Sequence, residues 1–220
     1  MKVKIDQYHI FDKKQEYNVL VFPDFPYAWT YDDFPKEDQY KVDGDKEFYS
    51  ALMHALGILI ADPSKIIYFP IKKKKPCIKP AYENYHLVMA RPELQFKRSR
   101  WFDIKGKLDR RHWTGKYTFD YNQQKLIDFY DKYTNSDLYW KKPCFPERRK
   151  DYVEQLIGDT VFLILPKEIC YHYHYFATDC LNKALNGIPN VYDDEYSEFV
   201  GIGWLLPDKV VERYREEKST

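Results

Sequence analysis

Between Glu83 and Lys97 the chain reads Glu83-Asn-Tyr-His-Leu-Val-Met-Ala-Arg-Pro-Glu-Leu-Gln95-Phe-Lys97, and Gln123 follows downstream. An acid, then Gln-x-Lys, then a second glutamine is a set that phosphodiester hydrolysis can use. That reaction needs a divalent cation on oxygen ligands and a positive group near the attacking water or the charged transition state. Magnesium keeps several of its waters, so one or two carboxylates plus a carbonyl oxygen suffice. Side chains alternate along a strand, so Gln95 and Lys97 are expected on one face, with Leu94 and Phe96 on the other.

The elements that must carry these groups follow from periodicity. Strands are expected at 85–90 and 94–98, broken around Arg91-Pro92 because proline lacks the ladder donor. A helix is expected over 122–133, where Leu126, Ile127, Tyr130 and Tyr133 form an apolar stripe that Gln123 extends inward. Another is expected over 45–61, capped by Asp43 or Asp45 and ended at Asp62-Pro63. Glu47 sits in its first turn beside Phe48 and offers a further carboxylate. Strands are also expected at 1–10, 17–22, 66–71, 115–119, 137–140, 161–165 and 171–177, with helices over 147–157 and 207–217. Pro23, Pro26 and Pro35 mark residues 24–44 as an irregular, aromatic-rich connection. The order from residue 45 onward is that of an α/β layered domain.

These residues resemble the PD-(D/E)xK, or restriction-endonuclease-like, nuclease superfamily over roughly residues 45–180. The resemblance implies a mixed sheet flanked by helices, with residues 1–44 as an aromatic N-terminal extension and 181–220 as a C-terminal extension ending in a helix. It places Glu83 as the first acid, Gln95 as the second ligand, Lys97 as the lysine, Glu47 as the upstream helical acid and Gln123 as the downstream helical glutamine. Glu83, Gln95 and Glu47 would then hold Mg2+ (or Mn2+). Lys97 would position water and stabilise charge, and Gln123 would orient the phosphate. The implied activity is metal-dependent cleavage of DNA or RNA, in a bacterial or phage defence setting. Two departures stand out: glutamine replaces the commoner acid at 95, and no Pro-Asp precedes the first acid. A rival register, Asp103-Ile-Lys105, would take Glu93 or Glu83 as its first acid.

Basic residues cluster at Lys72, Lys73, Lys74 and Lys75, at Lys97, Arg98 and Arg100 through Arg110 and Arg111, and at Arg148-Arg149-Lys150. Such groups contact phosphates, and nearby Trp101, Trp113 and Tyr117 can stack bases. Overall the chain is nearly neutral, +1 from 35 basic and 34 acidic residues, so only local clusters can argue for nucleic acid. His172 and His174 on one strand face, with Asp179, would make a metal pair. His112-Trp-Thr114 has the form of a phosphoesterase His-x-Thr but lacks a second copy. Cys170 lacks a base, and four dispersed cysteines fit free thiols in a cytoplasmic protein. No apolar leader or span is visible, so no membrane partner is expected. From a different class comes the alternative of a non-catalytic binding protein, toxin-neutralising or an assembly subunit. Its 21 tyrosines would supply an aromatic recognition surface for a protein partner, with residues 22–40 the place to look.

Overall fold

A computed structural model describes residues 2–26, 28–34, 39–71, 85–120, 123–135 and 150–185. Its strands are β1 (Lys2–Asp12), β2 (Gln15–Val21), β3 (Ala28–Phe34), β4 (Gln39–Gly44), β5 (Lys65–Phe69), β6 (His86–Ala90), β7 (Trp113–Asp120), β8 (Val153–Ile157) and β9 (Thr160–Ile164). The helices are α1 (Lys46–Ala61), α2 (Trp101–Lys105), α3 (Gln123–Thr134) and α4 (Lys167–Leu185). Seven strands form one mixed sheet in the order β7-β1-β2-β5-β6-β9-β8, and β3 pairs with β4 as a separate hairpin. Within the sheet β2 runs parallel to β5 and β6 parallel to β9, while the other neighbours are antiparallel.

The central strands β5, β6 and β9 are buried on both faces and so read as continuous apolar runs. One face packs on α1 and α4, which lie against each other; Phe48, Leu52, Leu56 and Leu59 of α1 and Ile169, Tyr173 and Ala177 of α4 fill this core with Leu20, Ile67, Leu87 and Leu163. The opposite face is covered by residues 91–112, which press Trp101 and Ile104 onto Ile10, Tyr17, Val19, Ile66, Val88 and Phe162. The indole of Trp101 meets the rings of Tyr68, Phe96 and Phe162 edge-on at centroid distances of 5.0, 6.2 and 6.2 Å. We call this side the Trp101 face.

Helix α1 starts where its cap predicts. The Asp45 carboxylate accepts from the Phe48 amide at 2.9 Å, satisfying one of the orphan donors of the first turn. The mixed sheet flanked by helices therefore matches the α/β expectation. β1 and β2, from the first 44 residues, are the second and third strands of that same sheet.

Four expectations are corrected. Residues 94–98 form no strand: Pro92–Leu94 is a 3-10 turn, Gln95 ends it in the left-handed region at φ 52°, and Arg98–Arg100 is a second 3-10 turn. Pro92 fixes a turn-type φ and opens that first turn. Residues 24–44 are not irregular throughout, because β3 and β4 form a hairpin whose Ala28, Tyr40 and Val42 join the core. Residues 153–157, expected in a helix, are β8, which pairs with β9 through the two-residue turn Gly158-Asp159. Residues 171–177, expected as a strand, lie inside α4. The expectations at 137–140 and 207–217 lie outside the described residues.

Candidate nucleic-acid interface

The segment that covers the Trp101 face is basic. Residues 93–116 hold eight Lys and Arg against Glu93, Asp103 and Asp109, a net +5. Counting in Asp6, Asp12 and Asp159, which pair into it, and Lys13 and Lys14 of the adjoining β1–β2 turn, the surface still carries +4, in a chain of net +1. The remainder is accordingly acidic, and the charge is segregated rather than dispersed.

Ion pairs hold this segment to the sheet. Asp12, at the end of β1, accepts from Arg100 Nε at 2.8 Å and Nη2 at 2.9 Å, and from Lys107 Nζ at 3.3 Å. The Arg100 guanidinium, with help from Lys107, holds the Asp12 carboxyl down at about 2. At the other end of the sheet Lys105 Nζ donates to Asp159 at 2.9 Å. Burial raises the Asp159 carboxyl, but the Lys105 and Thr160 hydrogen bonds outweigh it and leave it below its ordinary range. Arg111 and His112 close on Asp109, whose carboxyl lies well below its usual value because of the Arg111 guanidinium. Lys97, Arg98 and Arg110 make no ion pair among the described residues, and Lys97 and Arg110 are exposed. They are the cations left for a ligand.

Beside them β7 presents an aromatic pair. Trp113 stands opposite Tyr8 of β1, and the register shifts between Gln7 and Tyr8. That shift passes through Gly115, at φ 127°, a conformation that side chains other than glycine rarely adopt. The Trp113 indole donates to Asp6 Oδ1 at 3.0 Å, and Lys116 Nζ holds the same oxygen at 2.6 Å. The Tyr8 hydroxyl is raised above its ordinary value, first by burial and then by Asp6, partly offset by Lys116 and Arg110. Trp113 is 47% exposed.

Of the residues expected to do chemistry, Gln95, Lys97 and Glu47 are described with their side chains, and Glu47 does not join the other two. Gln95 and Lys97 are both exposed and two residues apart, on the loop bordering the basic surface. Glu47 is exposed in the first turn of α1. The far end of that helix is where Arg91, four residues before Gln95, donates to Leu59 O at 3.2 Å. At 1.5 Å per residue Glu47 is ~18 Å along α1 from that point, so the helix separates it from Gln95. Glu83 and Lys72, Lys73, Lys74 and Lys75 lie outside the described residues, as do Arg148 and Arg149. Gln123 is the first residue of α3, and its side chain lies outside them too.

These positions do not assemble a divalent-cation site among the described residues. Gln95 is a neutral amide, Glu93 is tied to Arg91, and among the described residues no group of three or more His, Cys, Asp or Glu is placed to share an ion. The rival Asp103/Lys105 register is on α2, where residues two apart point to different sides; Asp103 pairs with Arg100 and Lys105 with Asp159. The same geometry separates His172 from His174, which are buried in α4 rather than side by side on a strand. Cys170 is buried with its thiol pushed up to about 12 by desolvation, so it is no nucleophile. Among the expected stacking rings, Trp101 is buried, and Tyr117 is partly buried against the core on the α1 face; Trp113 is the exposed one.

A second polar constellation lies at the start of β6 and β9. His86 Nε2 is 3.5 Å from Asp159, and its ring lies edge-on to Tyr68 at 5.7 Å. Its Nδ1 is buried without a hydrogen-bond partner among the described residues, and burial with the Lys105 charge depresses its basicity. With one nitrogen facing Asp159 and the other shut from solvent, this imidazole serves the packing of the strand ends.

Sequence reasoning found the basic run and Trp113, but not Tyr8, Asp6 or Lys116 as their neighbours. The available signal was Gly115 inside a strand pattern, which marks a bulge. No protein-family model, no curated protein and no solved structure matches this chain. Among the described residues no helix is long and apolar enough to cross a membrane.

Proposed function

We propose that this α/β protein binds nucleic acid on the Trp101 face, through the surface built by residues 93–116 and the β1–β2 turn. The observation that carries this reading is the segregation of charge: +4 on one surface of a chain whose total is +1. A polyanion gains from such a surface through release of its counterions, and exposed aromatic rings beside the cations suit bases better than isolated phosphate. The test is fluorescence anisotropy with labelled oligonucleotides, comparing the native protein with Arg98→Glu and Arg110→Glu. Each reversal should weaken binding severalfold with no loss of thermal stability. Affinity unchanged in both would sink the proposal.

The restriction-endonuclease-like reading, with phosphodiester cleavage, is a second proposal. It is favoured by Gln95 and Lys97 both being exposed at the border of the same surface, and it requires Glu83 as its acid. Incubating labelled DNA and RNA with magnesium or manganese tests it. Cleavage that disappears in Lys97→Ala supports it; intact substrate, or equal cleavage by the variant, leaves a binding protein.

A further inference from the structure

Tyr8 and Trp113 form a cross-strand pair at the edge of the sheet, and pairs in register hold their Cβ atoms about 5 Å apart on one face. Ile5 belongs to the core under α1, and alternation puts Asp6, Tyr8, Ile10 and Asp12 on the opposite, Trp101 face. The Trp113 indole, bound to Asp6, is therefore on that face as well. Two anchors fix the ring there: the hydrogen bond to Asp6, and the bulge through Gly115 that sets Trp113 rather than Thr114 opposite Tyr8. A Cβ on Gly115 would meet nothing within 4 Å, so it is the φ of 127°, not crowding, that calls for glycine. Bulges of this kind re-aim side chains. The result is a large, half-exposed and immobilised ring, with Arg110 and Lys116 close enough to influence the Tyr8 hydroxyl.

Packing does not call for this arrangement. The Trp113 ring is outside both buried cores, and Asp6 orients it at the expense of sharing that carboxylate with Lys116. Duplex DNA or RNA would offer this ring only phosphates and groove edges, because its bases are already stacked on each other. An unpaired base has a free π-face, and every base can use it irrespective of sequence.

Resting on the nucleic-acid reading above, we propose that the ligand is single-stranded, with a base stacked on Trp113 beside Tyr8 and a flanking phosphate on Arg110. DNA and RNA strands share this chemistry.

Equilibrium binding tests it with oligothymidine, oligouridine, an abasic deoxyribose-phosphate strand of the same length, and a duplex. The proteins are wild type, Trp113→Ala and Trp113→Phe. The expected result is that wild type prefers a base-bearing strand over both the abasic strand and the duplex. Trp113→Ala should lose roughly tenfold on base-bearing strands and change by less than about twofold on the abasic strand, while Trp113→Phe recovers most of the loss. Comparison of oligothymidine with oligouridine assigns the sugar. Equal affinity for abasic and base-bearing strands, or a Trp113→Ala protein that binds oligothymidine and oligouridine like wild type, overturns the stacking proposal while leaving nucleic-acid binding in place. Binding to none of the four probes overturns both.

Discussion

Among the described residues Trp101 is the largest fully buried side chain, and it is the pin that holds residues 91–112 on the sheet. Its indole nitrogen has no hydrogen-bond partner among the described residues, so its value lies in ring packing. Trp101→Ala should cost about 3–5 kcal/mol, as for other large-to-small core changes. Trp101→Phe should cost well under half of that, since it keeps most of the ring contact and removes an unpaired donor. Urea denaturation of both variants checks the ranking; equal losses would mean the indole nitrogen matters after all. Asp12 does the electrostatic part of the same task. Its folded pKa lies below the ordinary value, so its contribution is full above about pH 4 and fades as pH falls toward about 2. Little of this was legible beforehand. Trp101 reads in sequence as one aromatic in a charged stretch, and Asp12 as one acid before two lysines. Their importance comes from long-range partners, Tyr68 and Phe162 for the one and Arg100 for the other.

At the level of elements, α1 was readable from end to end because its apolar spacing, its Asp45 cap and its Asp62-Pro63 stop agree. Asp45→Ala should cost about 1 kcal/mol and Asp45→Ser much less, by thermal denaturation. α4 misled for a physical reason. Tyr171-His-Tyr-His-Tyr175 alternates like a strand, yet residues 169–174 are all buried, so the alternation does not separate an inner from an outer face. A helix buried nearly all round has no stripe to read. β8 misled in the opposite way: Val153, Leu156 and Ile157 fall at helical spacing, while the turn signal Gly158-Asp159 before an apolar run was the better guide. Gln95 illustrates the limit for the site, because the alternation of Leu94, Gln95, Phe96 and Lys97 survives as alternating exposure without any strand.

The α1–α4 layer also has a pH dependence built in. His172 and His174 are held near 4 by desolvation, and His54 is lowered as well, by burial first. Their folded pKa values lie below the unfolded value of 6.5, so the unfolded chain takes up protons first as pH falls. This histidine contribution is full above about pH 6.5, declines between there and pH 4, and levels off below. His172 and His174 each account for about 3 kcal/mol of that decline. Urea midpoints measured from pH 7.5 to 4 should fall steeply, and less so in His172→Gln. A flat profile would mean these histidines are already protonated in the fold.

Over the whole molecule, a seven-stranded mixed sheet carries α1 and α4 on one face and a basic, aromatic-edged strap containing α2 on the other. The α/β layering was visible in the order of elements, but the segregation of charge was hidden by a net total near zero. It emerges only when Asp6, Asp12 and Asp159 are seen to use some cations and leave Lys97, Arg98 and Arg110. The measurement that bears most directly on this is the salt dependence of binding to an unstructured oligonucleotide. Log affinity should fall linearly with log salt concentration, at about 0.7 per phosphate contact for a single strand. Arg98→Ala and Arg110→Ala should each make that slope shallower by about one contact. A slope near zero, or slopes identical in wild type and both variants, would contradict a nucleic-acid surface on the Trp101 face.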